Sequence, residues 1–375
     1  MMEKKNSSGV SRRTALGAGL AATAGALAAP AYAQGQRTLR MVTSWPGDLA
    51  LLQGAAVRAA ETINTLSDGR LTVEVFGAGQ FPGVGAFDVH DAVGDGTIEL
   101  YHSCDYYFQG KNRAFNFFTS VPLGLLMTEQ HGWLRFGGGQ ALWDELNGQF
   151  GVKTLACGGT GVQMGGWFEQ PITSVEDFQT LSMRIPGLGG AVLRELGAET
   201  LTTPAGEIVD ALYGGQINAL EWVGPNDDLA FGFPKLLATY LYPGFQEPGT
   251  VSALGINLDL WNSLDDRDRL ILETAADMEN SNTCAQYYGN NGQALSQMQF
   301  EFGTRPTRVP DDVFQRLADV SMQVRASVAE ESDIGRRVYE SFTAYQQGLI
   351  DWNADSFAAY FDRRDALGGA YESIF

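Results

Sequence analysis

The chain has 375 residues, 44% of them hydrophobic, and 44 Asp and Glu stand against 25 Lys and Arg, for a formal net charge of −19. That length suits two domains better than one or three, and such an excess of acid argues against nucleic acid and anionic membrane surfaces as partners. Three scattered cysteines (Cys104, Cys157, Cys284) and three histidines (His90, His102, His131) lack CxxC or HExxH spacing, and with no GxSxG elbow a zinc site or a serine hydrolase has little to stand on.

The first 33 residues read as an export signal. A basic start, paired arginines Arg12 and Arg13 after Ser11, a weakly apolar run and the small-residue pattern Ala31-Tyr32-Ala33 together indicate the twin-arginine route. Removing this segment leaves the remainder still more acidic, so a small anionic ligand has to be captured by local cations. In an oxidising periplasm one disulfide is open to the three cysteines, but three buried thiols is the expected state.

The body begins with strand-like "TLRMVTSW" (38–45), a helical run over 49–66, strand-like "RLTVEVFGAG" (70–79), a short helix near 87–93 and the strand "TIELYHS" (97–103). This β-α-β-α-β order predicts a largely parallel sheet flanked by helices. A helix from Glu129 to Asn147 then leads into the strand "GVKTLACGG" (151–159). A second unit follows, with strands in "GVQMGGWF", "LSMRIPG", "AETLTTP" and "INALEW", the last ending at Gly224-Pro225. A short helix between the first two is capped by the Ser174 to Asp177 pattern. The last hundred residues are helix-rich, and their tail carries Tyr345, Leu349, Trp352, Phe357, Tyr360 and Phe361, an aromatic density that calls for a docking partner: the body itself or a second subunit.

Two α/β units without a catalytic signature predict a binding protein whose ligand sits in a cleft between lobes, outside the carboxyl ends of the strands. Three polar residues lie at such ends, Gln163, Arg184 and Glu221, and Glu247 in "YPGFQEPG" is a fourth candidate. Arg184, flanked by Met183, Ile185 and Pro186, either pairs with an internal acid or clamps a ligand carboxylate with its planar fork. Glu221 needs a cation if buried, an arginine or a metal. If Glu221, Glu247 and the oxygen of Gln163 face one cleft, they form an all-oxygen site for a hard cation, Na⁺ or Ca²⁺, and a carboxylic acid can bridge it to Arg184.

The strings "GVQMGGWF", "MRIPGLGG", "EWVGPNDD", "YPGFQEPG", "YYFQGK" and "GGGQALWDEL" resemble the extracytoplasmic solute receptors of tripartite ATP-independent periplasmic (TRAP) transporters, in the branch that binds 2-oxo and 2-hydroxy monocarboxylic acids. The resemblance implies a two-lobed periplasmic binding protein, α/β, with a helix-rich C-terminus and a long helix spanning both lobes. It implies that Arg184 clamps the ligand carboxylate, that Gln163, Glu221, the backbone oxygen of Trp222 and in some members an acid near Glu247 hold the metal, and that some members dimerise through the C-terminal helix. The permease is the implied membrane partner. The expected partition is a signal over 1–33, lobe 1 over 34–157, the core of lobe 2 over 158–250, returning and spanning segments over 251–343, and a C-terminal helix over 344–375.

Tyr106 in "YYFQGK" is a candidate ligand donor from lobe 1, or else a satisfied core hydroxyl. Two departures fall near the site. Phe245-Gln246-Glu247 stands where the branch often has Trp-His-Glu, and Asn226-Asp227-Asp228 where it often has Tyr-Asn-Asp, which makes Asn226 a candidate ligand contact and leaves the ligand open. The competing readings are an exported enzyme acting on a small organic acid and a chemosensory binding protein.

Overall fold

The computed structural model describes residues 36–367, so the export signal and the end of the tail lie outside the described residues. The first unit follows the predicted order: β1 (Arg37–Thr43), α1 (Leu52–Leu66), β2 (Leu71–Phe76), α2 (Val89–Gly94) and β3 (Leu100–Ser103). The single helix expected over 129–147 is two, α3 (Met127–Phe136) and α4 (Gly139–Gly148). The break is at Gly138, whose φ of 85° is left-handed and ends the first helix where a side chain would be strained.

Strand β4 (Val152–Gly161) leaves this unit, and the strands that follow are short: β5 (Gly166–Phe168), β6 (Ser182–Arg184), then, beyond α5 (Gly187–Glu195), β7 (Glu199–Leu201) and β8 (Ala219–Leu220). The strands expected from "GVQMGGWF" and "INALEW" are thus shorter than predicted, and Glu221 and Trp222 lie just past a strand end. The Ser174–Asp177 box caps a short turn of 3-10 helix, with the Asp177 carboxylate accepting from the Ser174 amide at 2.9 Å. After α6 (Pro225–Phe231) come β9 (Thr239–Tyr242) and β10 (Thr250–Asn257), two strands not anticipated from the sequence, then the 37-residue α7 (Asp266–Phe302), β11 (Arg305–Arg308), α8 (Asp311–Ser327) and α9 (Asp333–Gly348).

Two sheets result, ordered β2-β1-β3-β10-β4 and β11-β9-β5-β8-β6-β7. The first is mixed, not largely parallel as expected, because β10 inserts antiparallel between β3 and β4 while β1 and β3 run parallel. Strands β4 and β10, paired from Val152↔Asn257 to Gly161↔Thr250, therefore carry the chain out of the first sheet and back, with bulges at the site end.

Helix α7 starts at Asp265, which accepts from the Asp268 amide at 2.8 Å, and ends at left-handed Gly303. Its first half buries Ile271, Leu272, Ala275 and Ala276 in the core of the first sheet, and farther along it buries Tyr287 and Met298 in a cluster with Trp167, Trp222 and Phe233. Arg58 of α1 pairs with Glu279 at 2.6 Å, fastening the first half. One helix thus packs into the cores of both sheets. The three cysteines are free, Cys104 and Cys157 buried as expected and Cys284 only half-buried.

Candidate functional site

The parallel register of β6 and β8 creates the first half of the site. Arg184 stands opposite Leu220, so Glu221 follows immediately beside it and donates its amide to the Arg184 carbonyl at 3.0 Å. The guanidinium Nη1 donates to Glu221 Oε1 at 2.7 Å and to the Glu221 carbonyl at 2.9 Å, and Nε donates to the Thr203 carbonyl at 3.3 Å. Both side chains are 1% exposed, and the Trp222 ring lies 5.1 Å from the guanidinium carbon. The internal salt bridge thus exists. It is incomplete, however, because Arg184 Nη2 and Glu221 Oε2 are buried without a hydrogen-bond partner among the described residues.

The second half forms where β4 ends and β10 begins. Gln163 Nε2 donates to Glu247 Oε2 at 2.8 Å, to Thr250 Oγ1 at 2.9 Å and to Thr160 Oγ1 at 3.1 Å, while Thr250 Oγ1 donates to Glu247 Oε2 at 2.6 Å. These contacts orient the amide so that its oxygen is the free end: Gln163 Oε1 is buried and has no partner among the described residues. Gln246, from the same loop, donates to the Met164 carbonyl at 2.7 Å and stands beside Glu221.

Electrostatics ties the halves together. Burial pushes the Glu221 carboxyl well above its usual range, and the charge of Glu247 adds to this against the pull of Arg184. Glu247 is pushed up to about 7, again by burial, with Thr250, Arg184 and Gln163 pulling down. Two buried acids share one arginine, an arrangement short of positive charge. No cluster of three His, Cys, Asp or Glu side chains able to hold a metal exists among the described residues. A cation here would instead meet carboxylate and amide oxygens, and the unpartnered Glu221 Oε2 and Gln163 Oε1 fit a hard ion.

Tyr106 arrives from the first sheet, on the 3-10 turn after β3. It is buried, its amide donates to Thr119 Oγ1 at 3.3 Å, and its hydroxyl is raised by burial first and then by Glu247, which sets it beside the acids. The left-handed Gly187 lets α5 approach it: a Cβ there would lie 3.7 Å from the Tyr106 ring and 2.9 Å from Asn116 Oδ1. Leu188 donates its amide to that same Asn116 oxygen at 3.1 Å, so the helix after Arg184 is pinned to the first sheet's side. Tyr106, Gln163, Arg184, Glu221, Trp222 and Glu247 are therefore all buried: Arg184, Glu221 and Trp222 touch one another, Gln163 and Glu247 form a second contact, and the charges of Glu221 and Glu247 act on Tyr106. Asn226 is different: half-buried in the first turn of α6, it donates its amide to Asn291 Oδ1 of α7 at 3.1 Å.

Sequence reasoning passed over Asp228. Its carboxylate accepts from the Tyr240 hydroxyl at 2.7 Å, the Trp167 indole at 2.9 Å and the Val223 amide at 3.3 Å, bracing the Glu221-Trp222-Val223 segment from behind. Burial raises its carboxyl to about 6 against these hydrogen bonds. The visible signal was its place in the first turn of a helix opened by Gly224 and Pro225. Thr250, equally unforeseen, is buried where β10 begins.

Comparison with known proteins follows the same lines. Residues 41–354 match the model of the DctP family, bacterial extracellular solute-binding protein family 7. A monocarboxylate 2-oxoacid-binding periplasmic protein of Nostoc sp. is 38% identical over 321 residues, 86% of this chain and 87% of that protein. Among solved structures, a TRAP solute binding protein from Bordetella bronchiseptica, a mixed-occupancy dimer with calcium and picolinate in one site, superposes with a TM-score of 0.86 at 30% identity, over 90% of this chain and 99% of the other. One from Pseudoalteromonas atlantica, with bound sodium and pyruvate, gives 0.84 at 34% identity, over 87% and 99%.

Proposed function

The chain belongs to family 7 of the bacterial extracellular solute-binding proteins, and from that premise we propose that it captures a small 2-oxo or 2-hydroxy monocarboxylic acid together with Na⁺ or Ca²⁺ and hands it to a TRAP permease. It acts as a receptor and not as an enzyme, exported by its twin-arginine segment to the periplasm. What supports this reading most is the half-satisfied pair of Arg184 and Glu221. A fully paired salt bridge would be a structural element, whereas Nη2 and Oε2 each leave a charge-bearing atom for a third party.

In this reading Arg184 Nη2 donates to the ligand carboxylate, and the Tyr106 hydroxyl donates from the opposite sheet. Glu221, Gln163 Oε1, the Trp222 carbonyl and Glu247 hold the cation, which supplies positive charge to the two acids and to the ligand. A 2-oxo or 2-hydroxy oxygen beside the carboxylate completes a five-membered chelate, so plain fatty acids bind less well. Asn226 contributes from the first turn of α6. The lobes, 34–157 and the core over 158–250, are completed by β10 on the first sheet and β11 on the second, and they close on the ligand about β4, β10 and α7. The C-terminal helix joins two copies into a homodimer.

Calorimetric titration tests this. The mature protein, unfolded and refolded in chelator to remove resident ligand, is titrated with pyruvate, lactate and longer 2-oxo acids, each with and without Na⁺ or Ca²⁺. Micromolar or tighter binding that needs the cation is expected, and Glu221→Gln is expected to weaken acid and cation together. Equal affinity for acetate and pyruvate, or loss of the cation alone in the variant, would sink the bridging arrangement.

A further inference from the structure

A second buried guanidinium lies outside the site described above. Arg325, in the last turn of α8, is 1% exposed, and burial lowers its guanidinium only to about 10, so it stays charged at neutral pH. Its hydrogen-bond partners are uncharged oxygens. Nη1 donates to the Leu123 carbonyl at 3.2 Å and to the Pro122 carbonyl at 3.5 Å, and Nη2 donates to Gln346 Oε1 of α9 at 2.7 Å. Gln346 Nε2 in turn donates to the same Leu123 carbonyl at 2.8 Å. The guanidinium carbon lies 5.4 Å from the centre of the Phe342 ring. Burying a cation among neutral acceptors carries a desolvation cost, and an apolar side chain would pack there without it. Arg325 therefore calls for a role in what it holds.

What it holds is a strained turn. Leu123 has a φ of 52°, in the left-handed region that a bulky residue seldom occupies, and such a conformation persists only where its surroundings enforce it. From there the Leu123 amide donates to the Phe245 carbonyl at 2.8 Å, in the loop between β9 and β10. That loop is fixed to the same segment a second time, because Gly249 lies directly on it: a Cβ on Gly249 would collide with the Met127 amide nitrogen and stand 2.7 Å from the Leu126 carbonyl carbon. Between the two fixings lie Gln246 and Glu247, and Glu247 is the acid that meets Gln163 and Thr250 in the site. A continuous set of contacts thus runs from α8 and α9 through Leu123 to the loop that carries Glu247.

We propose that Arg325, with Gln346, is a positioning residue for the cation site: by holding the left-handed Leu123 turn it fixes the 245–249 loop and so sets where the Glu247 carboxylate stands. The proposal rests on the receptor reading above and deepens it, placing a determinant of cation affinity in the C-terminal helices, away from any group that touches acid or cation. Release of the turn lets the loop shift and withdraws a charged oxygen from the cation, which weakens the cation and the acid bound through it.

The test uses the full mature chain, freed of resident ligand, as parent, as Arg325→Met, Gln346→Leu and Glu247→Gln, and as the Arg325→Met, Glu247→Gln double variant. Cation affinity and pyruvate affinity are titrated with Ca²⁺ or Na⁺, whichever supports pyruvate binding in the parent, and amide hydrogen exchange is followed in the cation-free proteins. Arg325→Met is expected to lower cation affinity about tenfold, the size seen when a residue that orients a metal ligand is lost, and to speed exchange over 121–127 and 245–249 before any cation is added. Gln346→Leu is expected to give the same pattern at smaller size, and it decides the result if Arg325→Met does not fold. In the Glu247→Gln background Arg325→Met is expected to bring no further loss, because both act through one carboxylate. Cation affinity unchanged in the folded single variants, or a loss from Arg325→Met that adds in full to that from Glu247→Gln, overturns the inference and leaves the receptor reading standing. If the parent binds pyruvate and longer 2-oxo acids with neither cation, the receptor reading falls and takes the inference with it.

Discussion

At the scale of single residues, Asp228 shows why composition alone does not reveal roles. Asp228 accepts three hydrogen bonds, from Trp167, Tyr240 and the Val223 amide, in a region where Trp167 and Tyr240 stack at 4.1 Å and are fully buried. Asp228→Ala strands three buried donors at once, and each buried donor left without an acceptor costs about 1–3 kcal/mol. A loss of roughly 2–5 kcal/mol in urea denaturation is the expected outcome, with Asp228→Asn falling between the variant and the parent. A change under half a kilocalorie, about the size of a neutral surface substitution, would mean that Asp228 does not hold the Glu221 segment in place. The residue types at the site were legible because Arg184, Glu221, Gln163 and Glu247 interrupt apolar or glycine-rich stretches. Their partnership was not legible: the Gln163–Glu247 contact spans 84 positions and depends on β4 and β10 lying side by side. Asp228 looked like an ordinary first-turn acid.

At the scale of elements, local signals did well and non-local pairing did not. The capped start of α7, the Ser174 box and the β-α-β-α-β run of the first unit follow from periodicity and caps that lie within a few residues. Strands β5 to β8, two or three residues long, are below the window in which alternation can be seen, and β10 owes its place to partners about a hundred and more positions away. The point where β4 leaves the first sheet depends on backbone conformation that only structure reveals. Gly161 has φ of 69°, in the left-handed region, and pairs with Thr250 at the last rung of the β4–β10 ladder. A Cβ there meets Tyr287 at an ordinary 3.5 Å, so Gly161→Ala costs backbone strain and not a clash. The expected destabilisation is about 1–2 kcal/mol, and Gly161→Asn, which tolerates this conformation better, should recover part of it. If both variants melt with the parent, the strand exit is not held in this conformation in solution.

The whole molecule raises the question of the tail. Along α9, Ile334, Val338 and Phe342 are buried against the first unit, with the Phe342 ring 5.1 Å from both Phe117 and Trp133. That contact anchors the helix on its own chain. Beyond Gly348 the helical path continues through Ile350–Asn353 and Ala359–Ala366 with no buried residue, and Ile350, Trp352, Phe357, Tyr360 and Phe361 are between 42% and 64% exposed. An apolar row of this kind on a single chain is unfavourable in water, since burying each large side chain is worth about 1.5–3 kcal/mol. The sequence showed the aromatic density but left two hosts open, the body or a second copy. The body takes the helix as far as Leu349, which packs against its core, and beyond that the Asn353 amide donates to Glu129. In the proposed homodimer a second copy covers the exposed aromatic row, and a stable pairing of this type buries roughly 1,200–2,000 Å². Light scattering on the mature protein should therefore give twice the chain mass, and a chain ending at Leu349 should give one chain mass while keeping its affinity for the acid and cation, because the proposed acid and cation contacts, Tyr106 to Glu247, all precede the tail. A full-length monomer at micromolar concentration removes the dimer. A truncated chain that stays dimeric moves the interface elsewhere and leaves the exposed aromatic row to another partner.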